Sequence, residues 1–296
     1  MANAVFESDF AGVGGQTCRV MSSAQKRAPG SPERGYLLCA SPRSGSTLLC
    51  DLLAQTDCAG RPQSYFRPEA IPELARGWGL SVEMPSWDRA YVESVVEHGT
   101  AGTGCFGMRI MWSDMNAFLA RLRHLYPGTG SDVDMLRHVF GVERFVHLSR
   151  GDRVAEAVSL VLAKQTGLWH RHADGSERER SAPPASPRYD HDEIDAALCL
   201  LDAEAIGWTT WFHECEVVPL AVSYEELAAN PGDTLRGVIE FIGGCATIPV
   251  ETRTSRLATS VNAEWSARFR REHKAMRSFR SRSHRRGTIA LPPASK

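Results

Sequence analysis

The chain has 296 residues, a formal net charge of −1, 43 % hydrophobic residues and 23 % charged residues. That length suits one large α/β domain or two small ones with an ample core, and the near-neutral balance gives no general attraction to nucleic acid. No apolar run approaches the ~20 residues that span a bilayer, and the eight cysteines are scattered without a CxxC pair, which argues against a disulfide framework or zinc site and for a reducing, cytoplasmic setting.

Residues 1–34 lack the basic start and apolar core of a secretory signal and read as a flexible extension. From Tyr36 onward strands alternate with helices. Tyr36 to Ala40 is an apolar strand, and Thr47 to about Gln55 a helix. Cys105 to Trp112 forms the next strand, with a helix through Asn116 to His124. Arg144 to Leu148 is a strand, followed by a helix from Ala155 to about Thr166. Ile194 to about Cys215 has helical period, Val217 to Ser223 is a strand, and a helix opens at Pro231 and ends at Gly243-Gly244. The alternation predicts an α/β fold with a mostly parallel central sheet and helices on both faces, whose ligands bind beyond the carboxyl ends of the strands. Two stretches break the pattern: Arg76 to Gly104 reads as an irregular insertion, and the polar, Pro-rich run 171–192 as a surface loop or lid. One domain over 35–271 and a basic tail over 272–296 complete the division.

The most informative stretch runs from Tyr36 to Leu49, where an apolar strand ends in Ser41-Pro42-Arg43-Ser44-Gly45-Ser46-Thr47 and opens a helix. Backbone N–H groups in such a turn, aligned with a helix N-terminus, cradle an anion. The triphosphate-loop pattern GxxxxGK[ST] would need Lys where Ser46 stands, and the cation comes earlier, at Arg43, so a P-loop kinase or NTPase is the less favoured reading. A second segment, Phe145 to Ser159, brings Arg150 off a strand end and Ser159 two turns into the next helix. A guanidinium fork and a hydroxyl can hold a second phosphate, although Arg150 alone is equally consistent with a surface pair to Asp152.

Together these segments resemble sulfotransferases that use 3′-phosphoadenosine 5′-phosphosulfate (PAPS). Pro42-Arg43-Ser44-Gly45-Ser46-Thr47 is similar to their 5′-phosphosulfate loop, and Arg150 to Ser159 to their 3′-phosphate site. Val222-Ser223-Tyr224-Glu225-Glu226-Leu227 with Asn230-Pro231 is similar to their Y-E-x-L segment. Finer features, including Gly60-Arg61-Pro62-Gln63, Met111-Trp112, Gln165-Thr166, Gly207-Trp208 and Glu264-Trp265, resemble the bacterial trehalose 2-sulfotransferase and nodulation-factor branch. The resemblance covers about Tyr36 to Arg271. It implies a P-loop-like sulfotransferase fold, a PAPS donor gripped by residues 42–47, Arg150 and Ser159, no metal, a carbohydrate or glycolipid acceptor, and a homodimer. A relative that binds PAPS without catalysis is the other reading the resemblance allows.

That alternative arises because the family pattern G-x-P-Q-E-[FY]-F places its proposed general base where this chain has Ser64. Glu69, His147 and His170 are the remaining candidates for a base, with His147 more at home as a structural strand residue. Arg61, Gln63, Ser64, Tyr65, Phe66, Arg109 and Trp112 are expected at the acceptor site, with Tyr65, Phe66 and Trp112 as its wall. The basic run Arg268 to Arg286 reads as a solvated tail; attraction of the polyanionic donor, a nucleic-acid arm or a peripheral contact with an anionic membrane are its functional alternatives.

Overall fold

The structure, a computed structural model, describes residues 30–244 except 82, 84, 85 and 173, and residues 260–286, with side chains as far as 276. The greater part of the expected N-terminal extension and the last ten residues lie outside the described residues.

The central strand is β1 (Arg34–Ala40), buried from Gly35 onward. A strand covered on both faces reads as an unbroken apolar run, which is what Tyr36-Leu37-Leu38-Cys39-Ala40 supplies. It pairs in parallel with β2 (Cys105–Met111) on one side and β3 (Val142–Ser149) on the other, while β4 (Leu168–Arg171) and β5 (Glu177–Arg180) form a separate antiparallel hairpin. β6 (Leu220–Ser223) pairs with β3, giving the parallel order β2-β1-β3-β6. The strand expected from Val217 starts three residues later. Pro219 has no N–H to give a ladder, and Val218 is left 90 % exposed.

Helices α1 (Ser46–Leu53), α2 (Ile71–Gly77) and α3 (Trp87–Thr100) connect β1 to β2, and α4 (Trp112–Leu125) and α5 (Asp132–Phe140) connect β2 to β3. After β3 come α6 (Arg153–Thr166), the hairpin and the long α7 (His191–Glu214). Then β6 leads into α8 (Tyr224–Ala229), α9 (Pro231–Phe241) and α10 (Ser260–Arg286). Side chains alternate across β1, so Leu37 and Cys39 pack with the aromatic layer of Phe106, Phe118, Phe140 and Trp208, while Tyr36 and Leu38 pack with α1 and α9. A third apolar cluster joins α6 and α7 to Trp265 and Phe269 of α10.

Two expectations change. The stretch read as an irregular insertion contains α3, whose Tyr91, Val92 and Val95 are buried against the sheet. The boundary at 271/272 falls inside α10, so residues 272–286 continue a helix and are not a free tail. Arg268 lies over the Tyr189 ring and pairs with Glu272, and Arg270 pairs with Asp152, so part of the basic run is anchored to the domain. No helix among the described residues is long and apolar enough to cross a membrane.

The carboxyl ends of the four sheet strands lead into the turn 41–45, α4, the turn 150–152 and α8 respectively. The anion-binding segments read from the sequence therefore meet at one edge of the sheet.

Candidate active site

Ser41 leaves β1 and its hydroxyl donates to the fully buried Glu156 at 2.7 Å. The turn closes through Ser44, whose N–H and hydroxyl both donate to the Ser41 carbonyl. Gly45 caps α1 in the left-handed region at φ 91°, and a Cβ there would stand 2.5 Å from the Tyr224 ring. Glycine is therefore required twice over, for the backbone and for the ring packed on it. The opposite face of the turn is basic. Arg43, itself at φ 68°, donates from Nε to Ser159 Oγ at 3.0 Å and from Nη1 to the Trp169 carbonyl at 2.5 Å. Burial, with the nearby Arg150, lowers its pKa to about 10, which leaves it charged at neutral pH.

Arg109, on β2, joins the loop at Ser64 to the start of α1. Its Nε donates to Ser64 Oγ at 2.9 Å, and its Nη1 donates to Thr47 Oγ1 at 2.9 Å and Ser46 Oγ at 3.3 Å. Thr47 Oγ1 is also 3.1 Å from His170 Nε2 on β4. The hairpin covers the cradle. Arg178 pairs with Asp51 of α1 through both terminal guanidinium nitrogens, Arg67 reaches Glu179 at 3.3 Å, and Glu179 lies 3.6 Å from His170 Nε2. Burial and the surrounding Arg43, Arg109, Arg178 and Arg67 lower the His170 pKa to about 3. The ring is neutral in the free protein.

Arg150 also stacks over Tyr224, with its guanidinium carbon 4.5 Å from the ring centroid. Its Nε is buried without a hydrogen-bond partner among the described residues. The following turn is held by Glu225, which accepts from the N–H groups of Gly151 and Asp152. Tyr224 thus ties the two anion-binding segments together through a single ring. A buried guanidinium nitrogen left unpaired beside aligned N–H donors is the arrangement expected of a site shaped for an anion. Among the described residues no cluster of His, Cys, Asp or Glu could hold a metal ion.

The structure brings together Arg43, Ser44 to Thr47, Ser64, Arg109, Arg150, Ser159 and His170, with Pro42 half-buried in the turn. Other expected residues stand apart. Phe66 is 4 % exposed and packs 4.5 Å from Phe118 in the central aromatic layer, so it is core and not a pocket wall. Tyr65 is fully buried, with its hydroxyl turned back to the Arg61 carbonyl at 2.6 Å. Trp112 packs edge-on to Trp208 at 5.2 Å. Arg61 and Gln63 line a cleft of about 410 Å³ with Glu97 and His98 of α3, none of whose lining residues belongs to the cradle. Glu69 is exposed and its charge acts on Asp114. His147 is half-buried against Phe212, with its pKa lowered by burial. The sequence carried no signal for Arg67, Arg178 and Glu179, since a run of alternating charges reads as a solvated surface. Nor did it mark Glu204 of α7, which is buried with Oε2 unpartnered and a pKa pushed up to about 7 by burial.

The Stf0 sulphotransferase family profile matches residues 35–272. The chain belongs to the Stf0 sulphotransferase family. Two trehalose 2-sulfotransferases are similar over most of their length. One, from Mycolicibacterium smegmatis, is 29 % identical over 262 residues, covering 80 % of this chain and 94 % of the relative. The other, from Mycobacterium tuberculosis, is 29 % identical over 260 residues, covering 81 % and 95 %. Among solved structures, a sulfotransferase from Alicyclobacillus acidocaldarius has a TM-score of 0.40 at 15 % identity, covering 80 % of this chain and 91 % of that one. In family terms the cradle at 41–47 lies inside the matched span, as do Arg109, Arg150, Ser159 and His170.

Proposed function

We propose that this sulfotransferase moves the sulfuryl group of PAPS to a hydroxyl of a carbohydrate or glycolipid, releasing adenosine 3′,5′-bisphosphate. The observation that carries the reading is the pairing of two anion-shaped sites through Tyr224: the ring packs against the Gly45 turn and also lies under the Arg150 guanidinium, whose Nε is buried and unpaired among the described residues. A donor with a phosphate at each end of a nucleoside is the ligand chemistry that two such sites accept. PAPS supplies a sulfuryl group already bonded to a good leaving group.

The protein's own part is positioning and charge stabilisation. N–H groups of Ser44 to Thr47 and the Arg43 fork would hold the 5′-phosphosulfate, with Arg150 and Ser159 on the 3′-phosphate. Ser159 already accepts from Arg43, which leaves its own proton free for a phosphate oxygen. Thr47 and Ser46 accept from Arg109 in the same way, so the guanidinium orients both hydroxyls and adds positive charge where negative charge spreads in the transition state. The hairpin lies over this edge, with His170 of β4 against Thr47 and Arg178 of β5 paired to Asp51. The similarity to trehalose 2-sulfotransferases favours a sugar hydroxyl as acceptor.

Calorimetry with adenosine 3′,5′-bisphosphate tests the donor site, and absence of binding to folded protein sinks the reading. One observation favours a second reading, a PAPS-binding relative without turnover. Ser64 stands at the position of the family's carboxylate and its hydroxyl is taken up by Arg109. Transfer of labelled sulfate from PAPS to trehalose separates the two.

A further inference from the structure

Transfer to a hydroxyl requires a group to take its proton, and Ser64 cannot do so near neutral pH. A replacement must lie at the cradle, carry a lone pair that donor binding can free and have access to solvent. Glu204 is enclosed under α4, and Glu69 is exposed, with its charge acting on Asp114. His170 meets all three conditions. It is a cross-strand partner of Glu179 in the β4–β5 register, its side chain is 25 % exposed, and its Nε2 faces Thr47 at 3.1 Å and Glu179 at 3.6 Å.

We propose that the hairpin supplies the proton acceptor: His170 Nε2 takes the proton of the acceptor hydroxyl, and Glu179 stabilises the imidazolium that results. The inference rests on the donor reading above. As the acceptor oxygen bonds to sulfur, the bond from sulfur to the phosphate oxygen breaks and its electron pair leaves on adenosine 3′,5′-bisphosphate. The proton lost by the hydroxyl resides on Nε2 until it passes to solvent. Glu179 touches the ring and not the acceptor, so it is a positioning residue.

The free protein holds this base in an unreactive form. Arg43, Arg109, Arg178 and Arg67 surround the ring and depress its basicity, with Glu179 as the carboxylate paired to it among the described residues. With Nε2 unprotonated, the Thr47 hydroxyl donates to it while accepting from Arg109. Phosphosulfate oxygens in the cradle would reverse both conditions. They neutralise the field of the arginines, and they compete for the Thr47 proton, which frees Nε2 for the acceptor. Basicity is thereby coupled to the presence of the donor.

The test is an NMR titration of the His170 ring with and without saturating adenosine 3′,5′-bisphosphate, alongside donor consumption with trehalose and with water. The ring pKa is expected to rise by about two units or more when the bisphosphate binds, and Glu179→Gln is expected to remove about one unit of that rise. His170→Gln should slow donor consumption by about 10²-fold or more while bisphosphate affinity stays within about threefold. A ring titration identical in the free and bound protein overturns the proposal, as does a His170→Gln rate within about threefold of the unaltered protein. Loss of bisphosphate binding in proportion to rate would make His170 a donor ligand and also overturn it. Failure of the unaltered protein to bind the bisphosphate overturns the donor reading instead. The ring titration needs no acceptor, so the proposal is decided even where trehalose is not the substrate.

Discussion

Arg43 Nε and Ser159 Oγ are joined by a hydrogen bond of 3.0 Å, although 116 residues separate them. The first belongs to the turn after β1 and the second to α6, and the sequence assigned them to opposite ends of the donor. Their contact makes the turn after β1 and the start of α6 one surface, with Arg43 shared between them. Lysine could not replace it, because a single ammonium cannot bridge Ser159 and the Trp169 carbonyl in the fixed fork that guanidinium presents. Arg43→Lys is expected to weaken adenosine 3′,5′-bisphosphate by about 10–100-fold in calorimetry, which is about 1.4–2.8 kcal/mol. Ser159→Ala, which leaves the fork intact, should cost about threefold to tenfold, or about 0.7–1.4 kcal/mol.

The Tyr224 ring is the second point of coupling. Gly45→Ala forces a Cβ into it from one side and holds a non-glycine residue in the left-handed region. Thermal unfolding should show a loss of about 1–3 kcal/mol, and bisphosphate binding should fall with it. Tyr224→Phe keeps the ring under Arg150 and should bind normally, whereas Tyr224→Leu removes the stacking surface and should weaken binding by about fivefold. Equal behaviour of the two Tyr224 variants would show that the ring does not hold Arg150 in place.

How much of this was legible beforehand follows from the kind of signal each element carries. Tyr36 to Ala40 is apolar because both faces of β1 are covered, and Pro42 to Thr47 is small, polar and cationic, the composition that a backbone facing an anion needs. Such local constraints are written in consecutive residues. The hairpin is not. Its residues Arg178 and Glu179 alternate in charge like any solvated surface, and only their partners Asp51, Arg67 and His170, distant in sequence, reveal that the strand is docked. Phe66 misled for the converse reason. An aromatic beside a loop motif looks like a pocket wall, yet the ring belongs to a layer assembled from α3, α4 and α5 that no local pattern announces.

Glu204 gives a pH-dependent prediction. Burial raises its folded-state pKa from 4.5 to about 7, so the folded protein binds more protons than the unfolded chain between those values. Stability therefore falls as pH rises through that window, because the buried carboxyl must ionise above it. Glu204→Gln removes the ionisation and is expected to stabilise the protein at pH 8 by up to about 3 kcal/mol, with little effect below pH 4.5. Urea unfolding at pH 4 and pH 8 measures both arms. An equal effect at the two values would mean that packing, not charge, governs the site.

The hairpin clamp can be tested without touching the cradle. Arg178→Ala removes both contacts to Asp51 while leaving His170, Glu179 and the Trp169 carbonyl in place. Partly exposed ion pairs contribute little to global stability, so urea unfolding should change by less than about 1 kcal/mol. Local opening should change more, because the clamp is one of few bonds between this two-stranded ribbon and α1. Amide exchange in Leu168 to Arg171 and Glu177 to Arg180 is expected to quicken about tenfold while the sheet amides of β1 and β3 keep their protection. Quickening spread evenly over sheet and hairpin would show that the hairpin opens only with the whole domain.

Phe66 is the residue where the expected acceptor wall and the observed core make opposite forecasts. Its ring lies 4.5 Å from Phe118, 5.9 Å from Tyr91 and 6.2 Å from Phe140, and only 4 % of the residue is exposed. Truncation to alanine leaves a cavity between three helices and should destabilise the protein by about 3–5 kcal/mol in urea unfolding. Phe66→Leu fills most of that volume and should cost about 1–2 kcal/mol. Wherever the Leu variant is folded, its KM for a sugar acceptor should match that of the unaltered protein, because the side chain does not reach the cradle. A raised KM with unaltered stability would return Phe66 to the acceptor pocket.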